Sequence, residues 1–210
     1  MHTARPTLFD FRAARAARAR AERLAGDRFL DQAALEGLTD RLAAVTRSFD
    51  RGLWIGDRLP PAMASFAKDW RIADFDRDES LDAGQGPFDL AVSLYSLQAI
   101  NDLPGALVQI RRVLKPDGLF LAALFGGATL HELRESFAFA ESEISGGLSP
   151  RVSPFADVRD MGGLLQRAGF ALPVADVERL RVRYRDFFSL VRDLRIHGQG
   201  NVLAARRRSF

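Results

Sequence analysis

The chain has 210 residues, of which 47% are hydrophobic, so it carries enough apolar side chain to bury a core of its own. It has no cysteine, which excludes disulfides and thiolate metal sites and fits a reducing, cytoplasmic compartment. No run approaches the ~18 apolar residues of a membrane span, and the start lacks the apolar stretch of a secretory signal. The sequence therefore predicts a soluble protein.

The formal net charge of +3 is unevenly distributed. Residues 1–25 carry six arginines against two acids, and residues 177–210 carry nine against three, whereas the middle of the chain is acidic. Basic ends can contact nucleic acid, anionic lipid or an acidic protein, and the alternative is a pair of solvated helix faces. Charge is the only feature that favours nucleic acid or membrane, so neither is predicted as a partner.

The first 48 residues are predicted to be a helical segment. Residues 9–24 are rich in alanine and arginine, which favour helix. Residues 29–45 keep the apolar spacing of a second helix, which we expect to pack on the body of the molecule. That body, residues 49–210, is predicted to complete a single domain.

Four continuous apolar runs predict strands that are covered on both faces. They are residues 52–56, 70–75, 88–94 and 118–125. Helices are predicted at 62–69, 103–114, 128–140, 155–168 and 187–196, with an extended segment at 171–184. Strands that alternate with helices predict an α/β fold with a mostly parallel, Rossmann-like sheet.

Ligands of such sheets bind outside the carboxyl ends of the strands. Gly56 ends the first predicted strand, and Asp74 and Asp76 follow 18 and 20 residues later. That is the distance at which nucleotide-binding domains place an acidic residue on the ribose hydroxyls. The loop from Gly56 to Pro60 holds no second glycine, so an ordinary strand-to-helix turn is the alternative interpretation.

Two stretches resemble the class I S-adenosylmethionine (SAM)-dependent methyltransferases: Phe88-Asp-Leu-Ala-Val-Ser93, and residues 107–121 with the turn Lys115-Pro-Asp-Gly118. Three more stretches resemble the mitochondrial complex I assembly-factor methyltransferase family and its proteobacterial relatives, often labelled biotin-synthesis methyltransferases. These are residues 125–134, 146–155 and 165–170. The resemblance extends from about residue 8 to about residue 205.

The resemblance implies a SAM-binding domain that acts on a protein substrate or assembly partner of a respiratory complex. Gly56, Asp74, Asp76 and Gln98 are the candidate cofactor-binding residues, with Asp78-Glu79 at the position of a family acidic pair. In eukaryotic members the implied activity is modification of an arginine on a complex subunit, described as hydroxylation.

The substrate side of the site is predicted after the fourth strand. His131 is the candidate catalytic residue, and a histidine on a helix surface is the alternative. Gly126 and Gly127 either let a ligand approach the backbone closely or simply form a turn. Arg134 lies near His131, and Arg151 can grip a carboxylate or phosphate bidentately. The three histidines lack metal-ligand spacing, so no metal site is predicted.

Three departures from the family pattern leave two functions open, a methyltransferase and an inactive assembly or interaction module. Trp54 stands at the family's acidic position, and Arg58 and Pro60 replace glycines. Only 31 residues separate Gly56 from Phe88, so one strand-helix unit is predicted to be missing. The closing strand of the sheet is also expected to be missing, and either residues 171–184 or a partner, for which a second copy of the chain is a candidate, fills that edge.

Overall fold

The computed structural model describes residues 7–206. Contacts between residues divide the chain into two units. The first, here called the sheet unit, comprises Arg28–Phe125 and Arg159–Ala175. The second, the helical unit, comprises residues 7–27, 126–158 and 176–206 of the described part of the chain. The division of the chain at residue 48 stays a prediction.

The helices and strands follow the α/β alternation that the sequence predicts. In chain order they are α1 (Phe11–Ala21), α2 (Phe29–Ala43), β1 (Phe49–Ile55), a 3₁₀ helix (Pro61–Phe66), β2 (Ala67–Ala73), β3 (Phe88–Leu94), α3 (Leu103–Val113), β4 (Leu114–Ala123), α4 (His131–Ser145), α5 (Val158–Arg167) and α6 (Phe187–Ile196). The strands form one parallel sheet in the order β2-β1-β3-β4. The predicted Rossmann-like fold class is confirmed.

The sheet unit has three layers because the central strands β1 and β3 bury side chains on both faces. β2 departs from the predicted coverage on both faces, since it lies at the edge of the sheet and its charged side chains are exposed. On one face, α2 packs Leu38 and Leu42 against Trp54 of β1. On the other face, α3 packs Leu107 and Ile110 in a second cluster, which the partly buried apolar side chains of α5 also join. The chain leaves β1 toward β2 on one side and returns to β3 on the other, so the strand order reverses at β1.

The pairing of β1 with β2 depends on one glycine. Gly52 lies opposite Trp70 in the register of the two strands. A Cβ atom on Gly52 would lie 2.6 Å from Cε3 of the Trp70 ring, closer than real contacts allow. Glycine at this position therefore lets the indole lie across β1.

Two predicted elements are corrected by the structure. The helix at 62–69 is wrong: it is a 3₁₀ turn that ends at Phe66, because Ala67 is already extended and pairs with Phe49 as the first residue of β2. The last strand begins at Leu114 rather than at residue 118. Leu114 pairs with Phe88 and Leu119 with Leu90, so the predicted turn 115–118 is a bulge within β4.

The predicted loss of a strand-helix unit is confirmed, since β2 and one 3₁₀ helix are the only elements between β1 and β3. The segment 171–184 joins no strand in the described residues. It therefore does not fill the sheet edge at β4, and closure of that edge by a second copy stays a prediction.

The helical unit is held by short polar contacts around small buried residues. Asp10 caps α1 by accepting a hydrogen bond from the Ala13 amide, and its own amide donates to the Val202 carbonyl oxygen at 2.8 Å. Ala17 and Ala21 of α1 are buried. No helix among residues 7–206 combines the length and apolar character needed to cross a bilayer.

Candidate functional site

The carboxyl ends of β1 and β2 bring two of the predicted residues side by side. The Gly56 amide donates a hydrogen bond to the Ala73 carbonyl oxygen at 2.9 Å, so Asp74, the next residue, lies beside Gly56. Gly56 has a φ of 154°, and a Cβ atom there would lie 3.0 Å from Nε1 of Trp54. Glycine is therefore required at this end of β1.

The two aspartates predicted to bind a ribose have different roles. Oδ1 of Asp76 accepts hydrogen bonds from the amides of Asp78 at 2.9 Å and Ser80 at 2.8 Å. The Asp76 side chain therefore stabilises the turn in which Asp76 itself lies. Asp74 is half-buried, and its Oδ1 accepts from the adjacent Phe75 amide at 2.9 Å. Of the two carboxylates, Asp74 has the position at the sheet edge.

The loop after β3 is fastened to both neighbouring strands. The Ser96 hydroxyl donates to the Ile55 carbonyl oxygen of β1 at 2.9 Å. Tyr95 donates from its amide to the Ala123 carbonyl oxygen of β4, and its ring stacks on Phe125 with a centroid distance of 4.4 Å. Oε1 of the predicted residue Gln98 accepts from the Phe125 amide at 3.4 Å. Gln98 therefore joins the loops that follow β3 and β4.

Glu79 has a structural role that sequence reasoning did not assign. Its Oε1 accepts from the Asn101 amide at 2.6 Å, and its Oε2 accepts from the Asp102 amide at 2.7 Å. These amides precede α3, where backbone donors lack helical partners. The carboxylate thus ties the loop after β2 to the start of α3, and the Asp78-Glu79 pair was the only signal for it in the sequence.

The usual SAM site has a ribose half and a glycine-rich half, and the residues present fit only the first. Asp74 beside Gly56 has the placement of an acid that binds ribose hydroxyls. The glycine-rich half needs backbone amides at the start of a helix. Here Pro60 and Pro61, which have no amide hydrogen, lead into a six-residue 3₁₀ helix, and the exposed Arg58 stands where the pattern has glycine.

Arg151 lies in the helical unit and does not present a free guanidinium. Its Nε donates to Oε1 of Glu141 at 2.7 Å, its Nη2 is 2.5 Å from the same oxygen, and its guanidinium lies over the Phe137 ring. Ser149 donates to Glu141 from both its hydroxyl and its amide. These hydrogen bonds, with the Arg151 charge, lower the pKa of Glu141 to about 2. Arg151 therefore fastens its loop to α4.

The other substrate-side candidates lie around the start of α4. Nη2 of Arg134 donates to the Ser153 carbonyl oxygen at 3.1 Å, a second tie between α4 and the loop 146–155. His131 is exposed, with Nδ1 3.1 Å from the Ala128 carbonyl oxygen in its own turn. Gly126 accepts from the Thr129 amide and forms a turn, and a Cβ on Gly127 would lie 3.6 Å from the Phe155 carbonyl oxygen. The catalytic role of His131 stays a prediction.

The histidines and acids do not cluster into a metal-binding group of three or more anywhere in residues 7–206. The predicted cofactor residues Gly56, Asp74, Asp76 and Gln98 all belong to the sheet unit, whereas Gly126, Gly127, His131, Arg134 and Arg151 belong to the helical unit.

A parallel sheet with helices on both faces, and a glycine beside an acid where the strand order reverses, defines a Rossmann-like domain of the nucleotide-binding type. Comparison with protein families makes the class specific. A family model described as a methyltransferase domain matches residues 6–173, so this chain belongs to the methyltransferase domain family.

Two kinds of curated relative are similar to this chain. The mitochondrial arginine-hydroxylase NDUFAF5 of Mus musculus is 50% identical over 124 residues, which cover 59% of this chain and 36% of that protein. The malonyl-[acyl-carrier protein] O-methyltransferase of Laribacter hongkongensis is 39% identical over 132 residues, which cover 63% of this chain and 42% of that protein. The chain thus spans well under half the length of either relative.

A search of solved structures finds similar chains at low identity. The YcgJ protein of Bacillus subtilis is 16% identical, has a TM-score of 0.47, and is covered over 69% of its length by 67% of this chain.

Proposed function

We propose that this methyltransferase-family chain binds the nucleoside part of SAM at the carboxyl edge of its sheet and acts on a protein substrate during assembly of respiratory complex I. The observation that carries the proposal is the placement of Asp74 beside Gly56 by the hydrogen bond between the Gly56 amide and the Ala73 carbonyl oxygen. SAM supplies a methyl group on a sulfonium when it is bound.

The placement of Asp74 follows from the shortened sheet. Nucleotide-binding domains of this type place the ribose acid at the end of the strand next to β1. In this chain the strand next to β1 is β2, and Asp74 is the first residue after it. The loss of a strand-helix unit therefore leaves an acid at the ribose position.

A protein substrate is favoured by the names of the relatives and by the motifs of the helical unit. The relatives at about 50% identity are named arginine-hydroxylases, and the others are named for a group carried by acyl carrier protein. The motifs at 125–134 and 146–155 that resemble the assembly-factor family form one hydrogen-bonded substructure through Arg134, Glu141 and Arg151. We assign this substructure to the side of the protein that meets its substrate.

The proposal is tested by calorimetric titration of the purified chain with S-adenosylhomocysteine and, separately, with adenosine. We expect one-to-one binding of both ligands with similar affinity, because the ribose half of the site is present and the glycine-rich half is not. Asp74→Asn should weaken both at least about tenfold, the cost of a charge-assisted hydrogen bond pair.

Asp76→Asn is the matched control, because the same change there affects a carboxylate that is engaged in its own turn. It should leave the affinity for both ligands within about twofold of the parent chain. No heat with either ligand at millimolar concentration would overturn the proposal, as would equal losses in the two aspartate variants.

A further inference from the structure

The helical unit contains an open cavity of about 870 Å³ that none of the predicted site residues lines. It lies between α1 and the stretch that follows α6. Its lining combines charged residues with alanines and glycines. The charged residues of the lining are Asp10, Arg12, Arg20, Arg23, Arg195 and Arg206.

The charge of this cavity is strongly positive. Five arginines and one aspartate line it, and that aspartate, Asp10, is already paired with Nη2 of Arg206 at 3.0 Å. The other four guanidinium groups have no carboxylate within salt-bridge distance in the part of the chain from 7 to 206. These are Arg12, Arg20, Arg23 and Arg195. The cavity therefore has four cations available for an anionic ligand.

Two of the cations are spread along α1. Arg12 and Arg20 are eight residues apart on α1, which separates their Cα atoms by about 12 Å along the helix axis. Alanines of α1 also line the cavity. Gly198, with a φ of 67°, approaches α1 so closely that a Cβ there would lie 3.4 Å from the Ala21 Cβ atom. The small side chains therefore leave room for a ligand between the arginines.

We propose that this cavity binds an extended acidic segment of a protein partner. In an extended peptide, side chains four residues apart are about 13 Å apart and point the same way, which matches the spacing of Arg12 and Arg20. Arginine binds carboxylates bidentately, so each cation can take one acidic side chain. The proposal rests on the proposed function in one respect, namely that the partner is a protein.

Two other anions fit the cavity less well. A single phosphate is a compact group, whereas the four cations belong to α1, to the residues just after it and to α6. Single-stranded nucleic acid is held by aromatic side chains that stack on its bases, and no aromatic residue lines this cavity within residues 7–206. The spread of the cations therefore favours spaced carboxylates.

The test measures binding of a fluorescein-labelled decapeptide of alternating Glu and Ala to the full chain by fluorescence anisotropy. The isosteric but uncharged peptide of alternating Gln and Ala is the ligand control. We expect the acidic peptide to bind, the neutral one not to bind, and the affinity to fall as sodium chloride rises. The double substitution Arg20→Gln and Arg23→Gln should raise the Kd about fivefold or more.

Arg179→Gln with Arg181→Gln is the matched control, because it removes the same charge from exposed residues of the same unit outside the cavity. It should change the Kd less than about twofold. Circular dichroism is used to check that both double variants are folded.

Three results would overturn the proposal. One is equal weakening by the two double substitutions, which would mean that the peptide binds basic surface in general. The second is no detectable binding of the acidic peptide at low salt. The third is tighter binding of sodium pyrophosphate or of a 20-nucleotide single strand than of the acidic peptide. Binding of S-adenosylhomocysteine is measured on the same proteins. Loss of that binding would count against the proposed function alone, whereas loss of acidic-peptide binding would count against the cavity proposal alone.

Discussion

Gly52→Ala is expected to destabilise the sheet at the pairing that aligns Gly56 with Asp74. The new Cβ atom would lie 2.6, 2.7 and 2.8 Å from three atoms of the Trp70 ring, where ordinary contacts lie at 3.4–4 Å. The ring must therefore move by about 1 Å, and its Nε1 would lose alignment with the Ala64 carbonyl oxygen, now 3.3 Å away. Overpacking of this kind costs about 1–3 kcal/mol.

The cost is measured by urea unfolding followed by circular dichroism. If Gly52→Ala lowers the free energy of unfolding by about 2 kcal/mol, the melting temperature of a chain this size should fall by about 4–8 °C. On a Trp70→Ala background the same Gly52→Ala change should cost less than half as much, because the ring that it meets is absent. An equal cost on both backgrounds would mean that the clash with Trp70 is not the cause of the destabilisation.

Three further predictions follow from individual contacts. Gly162→Ala in α5 should raise the free energy of unfolding by about 0.5–1 kcal/mol, because the added Cβ meets nothing within 4 Å; a loss of stability would contradict this. Ser93→Ala should stabilise by about 1 kcal/mol, because the buried Ser93 hydroxyl has no hydrogen-bond partner in residues 7–206. Ser96→Ala should instead destabilise, because that hydroxyl donates to the Ile55 carbonyl oxygen, and the same sign for both serines would count against the argument. The Glu141 pKa of about 2 lies below its ordinary 4.5, so Glu141 contributes stability that is present above pH 4.5 and is lost toward pH 2. The stability gap between the parent chain and Glu141→Gln, read from urea midpoints, should therefore close over that range, and a gap that stayed constant down to pH 2 would contradict this.

The fold was predictable where apolar runs and turn residues agree. The strand at 88–94 and the helix at 187–196 match the structure residue for residue. The helix predicted at 62–69 fails because local propensity was overridden by pairing: Ala67 joins the sheet opposite Phe49. The segment 171–184 alternates like a strand, yet no neighbouring strand pairs with it in the described residues.

For the candidate site, the sequence predicted which residues follow the strands but not how each one is bonded. Spacing alone leaves Asp74 and Asp76 as equal candidates. The structure separates them because Asp74 lies beside Gly56, whereas Asp76 accepts hydrogen bonds from Asp78 and Ser80 in its own turn. Arg151 has the sequence features of an anion-binding loop residue, but its partner, Glu141, lies ten positions earlier on a helix. A long-range pair of this kind has no local signal in the sequence.

Hydrogen exchange of the backbone amides, followed by mass spectrometry with and without saturating S-adenosylhomocysteine, tests most directly whether the carboxyl edge of the sheet is the ligand site. We expect slower exchange in peptides that contain residues 56–60, 74–80 and 95–98, and unchanged exchange in peptides from α1. Protection confined to the arginine-lined cavity, or no protection while the ligand is bound, would contradict it.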